Sequence, residues 1–274
     1  DPSRHQLGAD PAFVLWSSPV QLDPERLPWF SAQIDRDRPP VIGIEVCGNL
    51  APRRRSARER RIGARDAQAL ADFIATMLRE TSANLLLLPA SNNAPQSEHE
   101  CTALVERARP RGSSRQRTRI AVFAHALEPL ERRWLHGRLD WFCGTSEDAL
   151  TSALSAGTPT VGLITKHAAP AALRACCTAE SLFDPQSLRA SELRSGVLAH
   201  FADRDAHRAS LIVTVAALRR RVRAEQKALA DAIALIGGTE PGVATKDAPD
   251  TGPTLAGGWQ RRTRDSPRHA RLPA

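Results

Sequence analysis

The stretch that most restricts what this chain can fold into is DWFCGTSEDALTSALSAGTPTVGLITK, residues 140–166. It reads as strand, tight turn, helix, tight turn, strand. Trp141-Phe142-Cys143 is a short apolar run closed by Gly144-Thr145, and Ser146 stands where a helix cap belongs. Leu150 and Leu154 recur at helical spacing, Gly157 and Pro159 end the helix, and Val161-Gly162-Leu163 opens a second buried strand. In a strand–helix–strand unit, the turn after the first strand lies at the carboxyl edge of the sheet, where α/β proteins hold ligands. A ligand site in this chain is therefore expected along Thr145 to Asp148.

The rest of the chain repeats the alternation. VIGIEV at 41–46, LLLL at 85–88 and IAVF at 120–123 read as strands, and Leu85 to Leu88 is apolar throughout, as expected of a parallel strand covered on both faces. Helices are expected over about 65–80, 98–107, 129–139, 169–177 and 191–201. Phe13 to Trp16 and Ser181 to Phe183 read as further short strands. A long amphipathic helix follows over about 205–236, with Leu211, Val215, Leu218, Val222, Leu229 and Ile236 on one stripe. Alternating strands and helices imply an α/β fold: a Rossmann-like parallel sheet flanked by helices, with right-handed crossovers. Residues 19–40, rich in proline and charge, read as a linker. Residues 53–65 read as an arginine-rich loop, and 239–274 as a disordered basic tail.

Neither glycine-rich phosphate fingerprint occurs, so nothing marks a standard dinucleotide or nucleoside-triphosphate loop. The net charge of +8 is carried almost wholly by arginine, since Lys166, Lys227 and Lys246 are the only lysines. With aromatic residues at 4%, stacking platforms for nucleic acid are not expected, nor is nucleic acid as a partner. Five cysteines without a CxxC spacing suit reduced, structural thiols and a cytoplasmic location better than a disulfide framework or a zinc site. No apolar run reaches the length of a membrane helix. The opening on Asp1-Pro2, without an initiator methionine, suggests a truncated N-terminus.

Four segments, in order, resemble landmarks of the polysaccharide pyruvyl transferase family: ADPAFVLW (9–16), VIGIEVCGNL (41–50), NLLLLPAS (84–91) and residues 140–166. The resemblance implies the C-terminal half of a GT-B-like two-domain fold, with most of an N-terminal domain missing. On it, residues 1–40 are the remnant of that domain plus linker, 41–203 the Rossmann-like domain, and 204–238 a C-terminal helix. It also implies transfer of a pyruvyl group from phosphoenolpyruvate, as donor substrate and with no separate cofactor, to a glycan acceptor of a cell-surface polysaccharide. The family typically carries Arg-x-His at the central turn, where this chain has Ser146-Glu147-Asp148. Two other readings stay open: a non-catalytic relative serving as a binding module, and a GT-B glycosyltransferase using a nucleotide sugar.

Among individual residues, Asp148 is the candidate catalytic acid or base, although an acid in the first helical turn also serves the helix dipole. Ser146 and Glu147 join it in the turn. Lys166 follows the last strand at the expected cleft edge and matches a basic position of the family. Asn49 and Ser91 sit in the equivalent loops after earlier strands, where they could hydrogen-bond a sugar. No metal site is expected.

Overall fold

The computed structural model describes residues 10–20, 22, 27, 29–30, 38–46, 57–90, 94–108, 118–123, 127–164, 171–176, 181–183 and 190–236. The strands are β1 (Val41–Val46), β2 (Asn84–Pro89), β3 (Ile120–Val122), β4 (Trp141–Gly144), β5 (Thr160–Leu163) and β6 (Leu182–Phe183). The helices are α1 (Ala57–Glu80), α2 (Ala94–Ala108), α3 (Pro129–His136), α4 (Glu147–Ser155), α5 (Ala171–Cys176), α6 (Ala190–Ala202) and α7 (Arg204–Ile236).

All six strands form one parallel sheet in the order β3-β2-β1-β4-β5-β6. The chain builds outward from β1 to β3, then returns to lay β4 on the other side of β1 and builds outward again. That reversal makes the β1/β4 junction the topological switch point. The expected Rossmann-like parallel sheet flanked by helices is the architecture observed.

Strand alternation divides the core in two. Ile42, Ile44, Leu85, Leu87, Trp141 and Cys143 face one side, packed by Ile74 and Met77 of α1, Leu104 of α2, and Val197 and Phe201 of α6. Val41, Leu86, Leu88 and Phe142 face the other, against Leu135 of α3, Leu150 and Leu154 of α4, Leu173 of α5, and Leu211 and Val215 of α7. Gly43 is small for a reason. A Cβ there would sit 2.4 Å from Leu139 Cδ1 and 3.0 Å from Phe142 Cδ2.

Four expectations change. Phe13 is not in a strand: Pro11–Val14 is a 3-10 turn that Asp10 caps by accepting from Ala12 N at 2.8 Å. Proline at its first position favours a helical start, and the turn drives Phe13 fully into the core. The segment read as a linker also supplies core residues, Leu27 and Phe30. The arginine-rich stretch is helical from Ala57 onward, because arginine and alanine are both strong helix formers. In α7 the apolar stripe is buried at Leu211, Val215 and Val222. From Ala228 the described part of α7 belongs to a second unit, and there Leu229 is 62% exposed; residues 239–274, read as a disordered tail, lie outside the described residues. The stripe outlasts its burial.

Candidate functional site

Helix α4 begins at the switch point, and local sequence accounts for both its ends. Ser146 is extended (φ −98°, ψ 144°), and its Oγ accepts from Ala149 N at 3.3 Å, a standard N-cap. At the other end Gly157 adopts φ 83°. Its N–H donates to Leu154 O and that of Thr158 to Ala153 O, the paired bonds of a Schellman stop.

An acid from another strand already takes the amides of the turn that leads into α4. Glu45, penultimate in β1 and 3% exposed, accepts at Oε2 from Thr145 N (2.7 Å), Ser146 N (2.8 Å) and Thr145 Oγ1 (3.2 Å). Its Oε1 accepts from Ser146 Oγ at 2.5 Å. A helix N-terminus is a natural anion receptor, because its free N–H groups and the helix dipole both favour negative charge. Here the anion is built in. Together with burial, which is the larger cause, Glu45 also pushes the Cys143 thiol up to about 12.

The sequence reading passed over Glu45, yet a signal was there. It is the single charged residue in VIGIEV, a strand otherwise fit for burial on both faces. An acid in such a strand needs donors, and the turn across the switch point provides them.

Ser146, Glu147 and Asp148 are brought together as expected, but their roles separate. Ser146 is the cap and a partner of Glu45. Glu147 and Asp148 are exposed, and neither has a hydrogen-bond or ion-pair partner among the described residues. Both line a cavity of about 340 Å³ between the 3-10 turn, α3 and α4. Lys166, Asn49 and Ser91 lie outside the described residues. In the sequence Lys166 follows β5, Asn49 follows β1 and Ser91 follows β2. Among the described residues, no group of three or more acids, histidines or cysteines could hold a metal ion.

Behind α4 the site is stiffened by groups that the sequence reading did not single out. His136 is 1% exposed, lies 3.0 Å from Ser152 Oγ through Nδ1, and packs on Phe142 with ring centroids 4.6 Å apart. Burial, and secondarily Arg132, lower its pKa to about 3, so it is neutral at physiological pH and no proton shuttle there. Arg133 donates to Ala12 O (2.8 Å), Ser155 Oγ (2.5 Å) and Ser155 O (2.8 Å). Arg219 of α7 also reaches Ser155 O (3.0 Å), as well as Phe13 O (3.1 Å). The described thiols, Cys101, Cys143 and Cys176, are unpaired, and burial raises all three, which agrees with structural rather than reactive cysteines.

No family model matches this chain, and no curated protein matches it. Among solved structures, it is similar to a mutant O-GlcNAc transferase of Thermobaculum terrenum, at 17% identity and a TM-score of 0.46, covering 71% of this chain and 35% of that one. It is also similar to ADP-heptose lps heptosyltransferase II of E. coli, at 11% identity and a TM-score of 0.42, covering 68% and 54%. A third is the pneumococcal O-GlcNAc transferase in complex with UDP and GlcNAc, at 11% identity and a TM-score of 0.42, covering 72% and 36%. The chain thus spans between about a third and just over half of each of these proteins.

Proposed function

We infer that this chain is the Rossmann-like half of a two-domain, GT-B-like transferase acting on a nucleotide-activated sugar. The observation that carries the reading is the Glu45 carboxylate seated on the amides of Thr145 and Ser146. Phosphoenolpyruvate presents a carboxylate and a phosphate within one small molecule, and needs fixed cations or free N–H groups at close range. At the α4 start the amides of Thr145, Ser146 and Ala149 are engaged, and the two residues between Ser146 and Ala149 are the acids Glu147 and Asp148. A nucleotide sugar also carries a diphosphate, but its charge lies several ångströms from its hydroxyl-rich rings, and those hydroxyls donate well to carboxylates, as ribose does in dinucleotide folds. The unpartnered carboxylates suit the hydroxyls of such a ligand, with its diphosphate held away from this turn, and oppose phosphoenolpyruvate, which brings both of its anions to one place. Pyruvyl transfer, implied by the sequence resemblance, is therefore the less favoured chemistry at this turn. The glycan acceptor and a second domain remain part of the proposal.

Titration calorimetry of the chain with UDP-, GDP- and ADP-sugars, and with phosphoenolpyruvate, tests it. Saturable binding of at least one nucleotide sugar without binding of phosphoenolpyruvate is expected. Binding of phosphoenolpyruvate alone would restore the pyruvyl reading.

The internal anion also favours a second reading, a non-catalytic relative that keeps the fold as a binding module. In that case neither donor class binds, while a glycan still does.

A further inference from the structure

We propose that the cavity flanking α4 is a subsite for one sugar ring, neutral or amino-substituted, and not for an acidic or phosphorylated sugar. The inference rests on the sugar-transferase reading and names a ligand class for the same turn. Its first support is size. About 340 Å³ falls at the small end of ligand pockets, enough for a single ring and not for a nucleotide.

Its second support is a hydroxyl with nothing to bind. Thr151 lines the cavity and is only 5% exposed, yet its Oγ1 makes no hydrogen bond among the described residues. The hydroxyl of this otherwise buried residue is therefore open to the cavity, where a ligand hydroxyl at the wall can partner it. The neighbouring polar groups are different. Ser152 Oγ is engaged by His136, and the Arg133 guanidinium by Ala12 and Ser155.

Charge then selects the ligand. Asp10, a third acid of the lining, is occupied as a cap by Ala12 N. The donors of Arg133 are occupied by Ala12 O, Ser155 Oγ and Ser155 O, and Arg132 also has a partner. Three acids, Asp10, Glu147 and Asp148, line the cavity against two arginines, Arg132 and Arg133, so the lining is net negative by one charge, and the two carboxylates with no partner among the described residues are Glu147 and Asp148. A uronic acid or a sugar phosphate is repelled, a plain hexose is tolerated, and an ammonium-bearing sugar is attracted. The wall also has an apolar part, at Leu15 and Leu127, which suits the hydrophobic face of a pyranose. Trp16, the residue after Leu15, is 76% exposed, an unusual placement in a chain with so few aromatic residues.

Saturation-transfer NMR and calorimetry of the whole chain with glucosamine, glucose and glucuronate provide the test. Glucosamine is expected to bind about tenfold more tightly than glucose, which corresponds to one good charge-assisted contact, with glucuronate showing no saturation. Thr151→Val replaces a hydroxyl that has no partner among the described residues with a methyl and so keeps the fold. It is expected to weaken both ligands by about threefold to tenfold. The double variant Glu147→Gln, Asp148→Asn is expected to erase the preference for the amino sugar, weakening glucosamine more than glucose. Absence of saturable sugar binding at millimolar concentration, preference for glucuronate, or indifference to Thr151→Val overturns the proposal. Nucleotide-sugar binding separates the two ideas. If a nucleotide sugar binds while the monosaccharides do not, the subsite fails and the transferase reading stands; the converse sinks the transferase reading alone.

Discussion

Replacing Glu45 probes the arrangement on which the functional reading depends. In Glu45→Ala the amides of Thr145 and Ser146 lose their acceptor, and two hydroxyls lose a partner. Hydrogen bonds to a charged group contribute about 1.5–3 kcal/mol each, but Thr145 and Ser146 are half-buried, so water recovers part of the loss. The helix loses a further ~0.5 kcal/mol of dipole stabilisation. The sum expected for the alanine variant is about 3–5 kcal/mol. Glu45→Gln is a sharper probe. Its carbonyl oxygen can stay where Oε2 accepts three bonds, and its amide can donate to Ser146 Oγ, so only the charge is lost, at about 1–2 kcal/mol. Urea unfolding followed through the fully buried Trp141 measures both variants. Inorganic phosphate is expected to raise the unfolding midpoint of Glu45→Ala and not that of the parent chain, because removing the internal anion opens the helix start to an external one. An alanine variant that loses less than about 1 kcal/mol, or a glutamine variant as damaged as alanine, would refute the reasoning.

Acid should destabilise the fold through two histidines. His136 is lowered to about 3 and His200 to about 4, each mainly by burial. The folded values lie below the unfolded one near 6.5, so the unfolded chain binds more protons, and the stability present above that value drains away as pH falls toward 4. The expected slope is up to about 1.4 kcal/mol per pH unit per histidine, and His200→Gln should flatten the unfolding midpoint against pH; an unchanged slope contradicts the assignment. Arg133→Lys should cost about 2–3 kcal/mol by thermal or urea unfolding, since one ammonium cannot span Ala12 O, Ser155 Oγ and Ser155 O. Cys101 and Cys143, both raised to about 12, should resist iodoacetamide in the native chain and react once unfolded, as peptide mapping would show.

The fold was legible because period and punctuation agreed. Each of the strands β1, β2, β4 and β5 is an apolar run between turn residues, and Ser146 and Gly157 bracket α4 where capping rules place them. The misreadings have physical causes. Phe13 sits in a run short enough to suit a strand, and only the Asp10-Pro11 pair marks it as a capped helical turn. At the site, sequence could place Ser146, Glu147 and Asp148 on one turn but not reveal that Glu45 meets them, since that bond spans a hundred residues and depends on strand order. Arg133, Arg208 and Arg219 were likewise unreadable. A run of arginine looks the same whether it faces solvent or, as with Arg208 on Leu139 O and Asp140 O, ties down backbone carbonyls.

Helix α4 carries a full negative charge at its start and two guanidiniums at its end, each opposite in sign to the pole it meets. It is mounted like a short axle in two bearings, one in β1 and the other shared by α3 and α7. At nine residues it is about 13 Å long. It cannot tilt or turn alone without breaking charged contacts at one end or the other. A push delivered at Ser146 is therefore felt as a pull on Arg219, and any adjustment to a ligand has to be made by side chains at the cavity wall or by the three-helix assembly moving as one piece.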